Sequence, residues 1–243
     1  MYCFIHIGKC GGSSIRKSFK QHGIKHKSVH LGRPKFNKNH KYIFWIRNPI
    51  KRFVSAFNYS YLIINFNTDN KTKYTLDNCP APVHIRRKEK NKIAFHSTPL
   101  YSKLINFFKT PNALAESLTC NNKIIKTNAL KLMTFRVEHI YKGIGWYLYN
   151  GDFVKKYNNN IFFVGTIEDI NNDISMLNKK LESNIIVPKI RVTKKYGSRP
   201  TDLSDKAVKN IIDFYSNTDY KALKILKEKE WISKETLDSY YLY

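Results

Sequence analysis

The chain has 243 residues, enough for one sizeable α/β domain with a substantial hydrophobic core. Lysine and arginine number 43 against 18 aspartates and glutamates, a formal charge of +25 spread along the whole chain; such a field favours nucleic acid, an acidic polysaccharide, a nucleotide or an anionic membrane surface as partner. No apolar run approaches the length of a membrane span, and the four cysteines (Cys3, Cys10, Cys79, Cys120) lack the close pairing of zinc or redox motifs, so they read as free thiols.

The first element is an alternating apolar strand, Tyr2 to Ile7, that meets Gly8-Lys9-Cys10-Gly11-Gly12-Ser13-Ser14. A strand, a glycine-rich turn with one lysine and then a helical pattern make the layout of a phosphate-cradling loop at a helix N-terminus. Gly11 and Gly12 let the backbone turn its N–H groups towards one anion, Ser13 and Ser14 supply hydroxyls, and Lys9 supplies the mobile full charge. The nucleotide triphosphatase pattern is not met: Cys3 stands where its first glycine should fall, and Cys10 follows Gly8-Lys9.

Helical spacing continues from Ser13 to Gln21 and stops at Gly23. A short strand over Lys27–Leu31 places His30 at or near its C-terminal end, the sheet edge where open α/β folds bind ligands. His6, alternating inside the first strand, reads as a core residue. Lys41–Ile46 is an unbroken apolar run of strand length, as a central strand covered on both faces requires. Arg47 follows at its end. Asn48 and Pro49 then read as N-cap and first residue of a helix with Ile50, Phe53, Val54, Phe57 and Tyr61 on its apolar face and Ser55 two turns in.

Residues 65–92 form a polar insertion carrying Arg86-Arg87-Lys88, a length often used for substrate lids and equally that of a solvated excursion. A helix opens at Pro99, just past His96, with Leu100, Leu104 and Phe107 or Phe108 inward; further helices are expected over Asn112–Leu118 and Asn128–Met133. After a polar stretch, Gly151 to Asn160, come a buried strand at Ile161–Gly165 and a helix over Asp169–Leu181. A basic loop, Lys194-Lys195-Tyr196-Gly197-Ser198-Arg199, precedes helices from Leu203 to Tyr215, with Val208, Ile211 and Ile212 inward, and from Thr218 to Lys229. The fold expected from this order is α/β, a single domain with a mainly parallel central sheet flanked by helices and a nucleotide-kinase-like phosphate loop after the first strand.

With both the loop and the Arg-Asn-Pro helix in view, the chain resembles the sulfotransferases that use 3′-phosphoadenosine 5′-phosphosulfate (PAPS), closest to the carbohydrate branch that includes the heparan sulfate and chondroitin enzymes. That branch opens on a strand and Ile-Pro-Lys-x-Gly/Ala-Gly/Ser-Thr/Ser-Ser; here the stretch is Ile7-Gly8-Lys9-Cys10-Gly11-Gly12-Ser13-Ser14. Its second signature appears as Ile46-Arg47-Asn48-Pro49-Ile50-Lys51-Arg52-Phe53-Val54-Ser55-Ala56-Phe57. Weaker matches are His96-Ser97-Thr98-Pro99-Leu100-Tyr101 and Phe163-Val164-Gly165-Thr166-Ile167-Glu168.

The resemblance implies that Lys9, Cys10, Gly11, Gly12, Ser13 and Ser14 hold the 5′-phosphosulfate, and that Arg47 and Ser55 hold the 3′-phosphate. It implies that Lys195, Ser198 and Arg199, with Lys194, close over the nucleotide, and that His30 is the catalytic base, with His96 as runner-up and Glu168 as a carboxylate alternative. PAPS would be released as adenosine 3′,5′-bisphosphate (PAP) without a metal, and the acceptor would be an acidic oligosaccharide or polysaccharide. The chain as given reads as unanchored. Two other classes stand beside this one: a basic nucleic-acid-binding protein, for which no recognised motif or stacking ladder is found, and a nucleotide kinase, which lacks the expected loop spacing.

Overall fold

Four strands make one sheet, in the order β2-β1-β3-β4 and parallel throughout: β1 Tyr2–Ile5, β2 His26–Val29, β3 Lys41–Ile46 and β4 Ile161–Thr166. The computed structural model describes residues 1–30, 32–66, 99–136, 139–187 and 199–243. Helices alternate with the strands, giving an α/β fold. α1 (Gly12–Gln21) follows β1, and α2 (Pro49–Phe66) follows β3. Then come α3 (Pro99–Phe108), α4 (Pro111–Ser117), α5 (Lys123–Met133), α6 (Ile144–Tyr147) and α7 (Asp152–Tyr157). After β4 the chain forms α8 (Ile170–Leu181), α9 (Asp205–Tyr215), α10 (Lys221–Glu228) and α11 (Lys234–Ser239).

The chain divides into two compact units. The first comprises Met1–Arg52, Lys142–Val192 and Ile211–Tyr243 and contains the sheet; the second comprises Phe53–Tyr141 and Thr193–Asn210. α2 and α9 each run through a boundary between them.

In the first unit, alternation along each strand sends successive side chains to opposite faces. Phe4, Trp45 and Phe163 share one face, where Phe19 of α1 meets Phe4 at 5.6 Å and Trp45 at 6.5 Å between ring centroids. Tyr42 points the other way and receives Phe153 of α7 edge-on at 4.9 Å. Five of the six residues of β3 are buried, as the unbroken apolar run required. β1 has β2 on one side and β3 on the other, so the chain order reverses about β1 and a crevice opens at the C-terminal ends of β1 and β3.

Several boundaries move from the sequence reading. α2 continues through Phe66, so Asn65, expected in the insertion, is helical and its amide donates to Asn106 Oδ1 at 2.9 Å; residues 67–92, with Arg86-Arg87-Lys88, lie outside the described part. α3 presents Tyr101, Leu104, Ile105 and Phe108 inward, while Leu100 and Phe107 are each 51% exposed. Leu104 and Phe108 are thus inward as expected, while Tyr101 takes the place of Leu100, its hydroxyl donating to buried Ser60 Oγ 2.8 Å away. On α9 the buried positions are Ala207, Asn210, Ile211 and Tyr215; Val208 and Ile212 are only half-buried. The polar stretch before β4 contains α7, and a π-turn over Ser216–Tyr220 delays the start of α10 to Lys221. Among the described residues no helix is long and apolar enough to cross a membrane.

Candidate functional site

The residues that carry the sequence argument in the first unit gather at the C-terminal edge of the sheet. β1 ends in a tight turn in which Ile7 N–H donates to Ile5 O at 3.1 Å and Cys10 N–H donates to Ile7 O at 3.3 Å. Lys9 and Gly11 both adopt left-handed backbone, with φ of 68° and 67°. Gly11 tolerates this without cost; Lys9 does not, and a non-glycine residue there stores on the order of 1 kcal/mol of strain, as functional turns often do.

The two glycines at the start of α1 leave little room for a side chain, Gly12 least of all. A Cβ on Gly11 would stand 2.5 Å from Ile167 Cδ1, and one on Gly12 only 1.9 Å from His6 Cδ2. Gly11 is the N-cap of α1 and provides no side-chain cap, and the first turn carries no acid. The positive end of the helix dipole thus faces outward uncompensated, with Ser13 and Ser14 half-buried beside it. Gly12→Ala should destabilise the protein by about 1–3 kcal/mol through overpacking against the His6 ring. A thermal melt checks this: an unchanged midpoint would mean that the His6 ring moves aside without cost.

Cys10 does not join the candidate anion ligands. Its thiol is buried and faces Gly8 O at 3.8 Å, and its N–H is already donated to Ile7. Burial pushes the thiol pKa up to about 12 against the opposing influence of Arg52 and Arg47, so the side chain is a neutral packing element.

Arg47, the first residue after β3, reaches across the crevice: its Nη1 donates to Lys9 O at 3.4 Å. Its Nε is buried without a hydrogen-bond partner, and no carboxylate lies within 4.0 Å of its guanidinium among the described residues. A half-buried cation with an orphaned donor is chemically suited to an anion.

Asn48 caps α2 as read from the sequence, its Oδ1 accepting from Ile50 N at 2.8 Å and Lys51 N at 3.3 Å. Glu168, two residues beyond β4, accepts from Asn48 N–H at 3.1 Å through Oε1 and from the Tyr240 hydroxyl at 2.9 Å through Oε2. Both oxygens are thus engaged in holding the start of α2 and the C-terminal segment, which suits a brace better than a base.

His30 lies one residue beyond β2. The register that pairs Ile5 with Val29 brings His6 and His30 side by side, with their rings stacked 3.9 Å apart at 16°. His30 Nδ1 lies 2.9 Å from His6 O; because a carbonyl only accepts, Nδ1 donates, and Nε2 is the ring nitrogen left to act as a base. Tyr147 fixes the backbone by donating its hydroxyl to His30 O at 2.6 Å. His6 itself is 6% exposed and packs as a core residue.

Sequence reasoning missed Arg52. It is fully buried, and its Nε pairs with Asp219 Oδ2 at 3.2 Å while its guanidinium lies over the Tyr215 ring at 5.3 Å. Asp219 also accepts from Gly145 N–H at 2.9 Å. Four residues after Asn48 in an apolar helix face, this arginine gave no sign of burial, and its partner is 167 positions away.

In the second unit, Ser55 is half-buried on α2. Arg199 stacks over Tyr61 of the same helix at 3.5 Å and donates through Nη2 to Lys109 O, while its Nε is buried without an acceptor. His96, Lys194, Lys195 and Ser198 lie outside the described residues. Among the described residues no group of three or more His, Cys, Asp or Glu side chains comes together that could hold a metal ion. The chain matches no protein-family model, no curated protein and no solved structure in the comparisons made with each.

Proposed function

We propose that the protein transfers a sulfuryl group from PAPS to a hydroxyl of an anionic carbohydrate. The observation that carries this reading is the meeting of the Lys9 loop and Arg47 across the β1–β3 crevice, with an unpartnered buried donor on Arg47. In this reading Lys9 and the N–H groups at the start of α1 take the 5′-phosphosulfate, and Arg47 takes the 3′-phosphate. The share of Ser55 in that second phosphate, and the closing role of the segment around Arg199, rest on the resemblance alone.

Sulfuryl transfer breaks the bond between sulfur and the bridging oxygen of the 5′-phosphate and forms one to the acceptor oxygen, with the two oxygens in line. Negative charge grows on the departing phosphate. A lysine and fixed N–H dipoles aimed there lower the barrier more than they strengthen ground-state binding. His30, through Nε2, accepts the acceptor's proton as the new bond forms.

PAP should stabilise the protein without any divalent metal, by roughly 2.7 kcal/mol at about 100 times its dissociation constant. A thermal-shift titration with PAP, and with ATP plus Mg²⁺ in parallel, tests the reading. No shift with PAP would sink the cofactor assignment, and a larger shift with Mg-ATP would point to phosphoryl transfer.

A further inference from the structure

Beside His30, the segment that holds its backbone carries an aromatic surface loaded with positive charge. Arg33 lies over two rings at once, its guanidinium carbon 5.2 Å from the Trp146 centroid and 4.7 Å from that of Tyr149. Lys142 Nζ sits 4.8 Å from the same indole. Arg33 is exposed, Trp146, Tyr149 and Lys142 are half-exposed, and no carboxylate lies within 4.0 Å of Arg33 among the described residues.

The placement is held at a cost. Tyr149, Asn150 and Gly151 take left-handed backbone in succession, with φ of 53°, 54° and 100°, and only the last is a glycine. Such a run persists where its surroundings fix it. Here the Tyr149 hydroxyl donates to Pro34 O at 3.2 Å, and two residues earlier Tyr147 donates to His30 O at 2.6 Å. These two bonds tie the backbone at His30 and at Pro34 to the 147–149 stretch, so that Arg33 and its rings are anchored three residues along the chain from His30.

Rings covering the face of a guanidinium leave its edge N–H groups for bidentate pairing with a planar or tetrahedral oxyanion. A half-exposed indole and phenol offer flat apolar surface to the C–H face of a pyranose.

From this juxtaposition we infer that Arg33, Lys142, Trp146 and Tyr149 form an acceptor subsite for an acidic sugar, with Arg33 pairing the carboxylate or sulfate of a residue next to the one whose hydroxyl faces His30. The assignment rests on the sulfuryl-transfer reading for its orientation but not for its binding chemistry. A nucleic-acid strand would need a succession of exposed rings for its bases; here two rings converge on one cation, which suits recognition of a single acidic group.

The test is binding of a heparin-derived tetrasaccharide, an unsulfated uronate tetrasaccharide, a neutral maltotetraose and a single-stranded oligothymidylate to the full chain at one fixed salt concentration. The comparison set is Arg33→Gln, Trp146→Leu and the double variant, each also titrated with PAP by thermal shift. The expected result is that one or both acidic tetrasaccharides bind and maltotetraose does not, and that Arg33→Gln weakens binding by about tenfold or more, with PAP stabilisation retained. The two acidic probes distinguish a carboxylate from a sulfate as the group read. Undiminished binding of the acidic sugar in the double variant overturns the subsite, as does tighter binding of the oligothymidylate with the same sensitivity to Arg33→Gln. If PAP gives no shift while the acidic sugar still depends on Arg33, the subsite stands and the sulfuryl-transfer reading falls.

Discussion

For the proposed sulfuryl transfer, Lys9→Ala is expected to lower kcat by about 10²–10³, with a small change in the KM for PAPS. The reasoning starts from the backbone. Lys9 sits at a φ of 68°, and alanine keeps the same left-handed penalty, so the substitution removes the charge and leaves the strain of the turn unchanged. A unit charge about 4 Å from a developing oxyanion, at an effective dielectric of about 20, contributes on the order of 4 kcal/mol, and most of it appears only as the S–O bond breaks. Arg47→Ala should behave differently. Its contact with Lys9 O and its orphaned Nε suit a group that grips a phosphate equally in ground and transition states, so the loss should fall mainly on the KM for PAPS. Steady-state kinetics on both variants separate the roles. If Lys9→Ala raised KM and spared kcat, the lysine would be a binding residue and the transition-state argument would be wrong.

How far the candidate site could be read from the chain depends on the range of the interactions that make it. The loop was legible because its requirements are local: glycine where Gly12 has no room for a Cβ beside His6, and a helix start immediately after. Arg47 and the Asn48 cap were legible for the same reason, since a strand end followed by Asn-Pro defines both positions within three residues. The His6–His30 stack was hidden, although both residues were singled out. It depends on the register Ile5 to Val29, which a parallel pairing fixes only once the whole β1–α1–β2 unit has packed. On α3 Leu104 and Phe108 are inward as expected, but Leu100 is not, because Leu100 fits the helical period as well as Tyr101 does. Only the Tyr101–Ser60 hydrogen bond, between two helices distant in sequence, decides between them.

Arg52 is the position where this limit has the largest energetic consequence, and Arg52→Met is expected to destabilise the fold by about 3–5 kcal/mol, because it leaves the Asp219 carboxylate buried without its counter-charge. Burial is the largest single influence and works against the Arg52 charge, but Asp219, with Tyr215 and Cys10 beside it, together more than offset it, and the guanidinium pKa stands above its ordinary value. The two groups are 0% and 1% exposed, so solvent offers little screening. The carboxylate has little room to move: a Cβ on Gly143 would stand 2.3 Å from its Oδ1, and that oxygen is already bound to Gly145 N–H. At roughly 2–4 °C per kcal/mol for a chain of this size, the thermal midpoint should fall by about 10 °C. Asp219→Asn should cost less than Asp219→Ala, because an amide oxygen can still accept from Gly145. The double variant Arg52→Met with Asp219→Asn should recover part of the loss of Arg52→Met alone, since no unpaired charge remains in the core. Additive losses in the double variant, or an unchanged midpoint in Arg52→Met, would show that the pair is solvated and that the start of α2 is held by Asn48 and Glu168 instead.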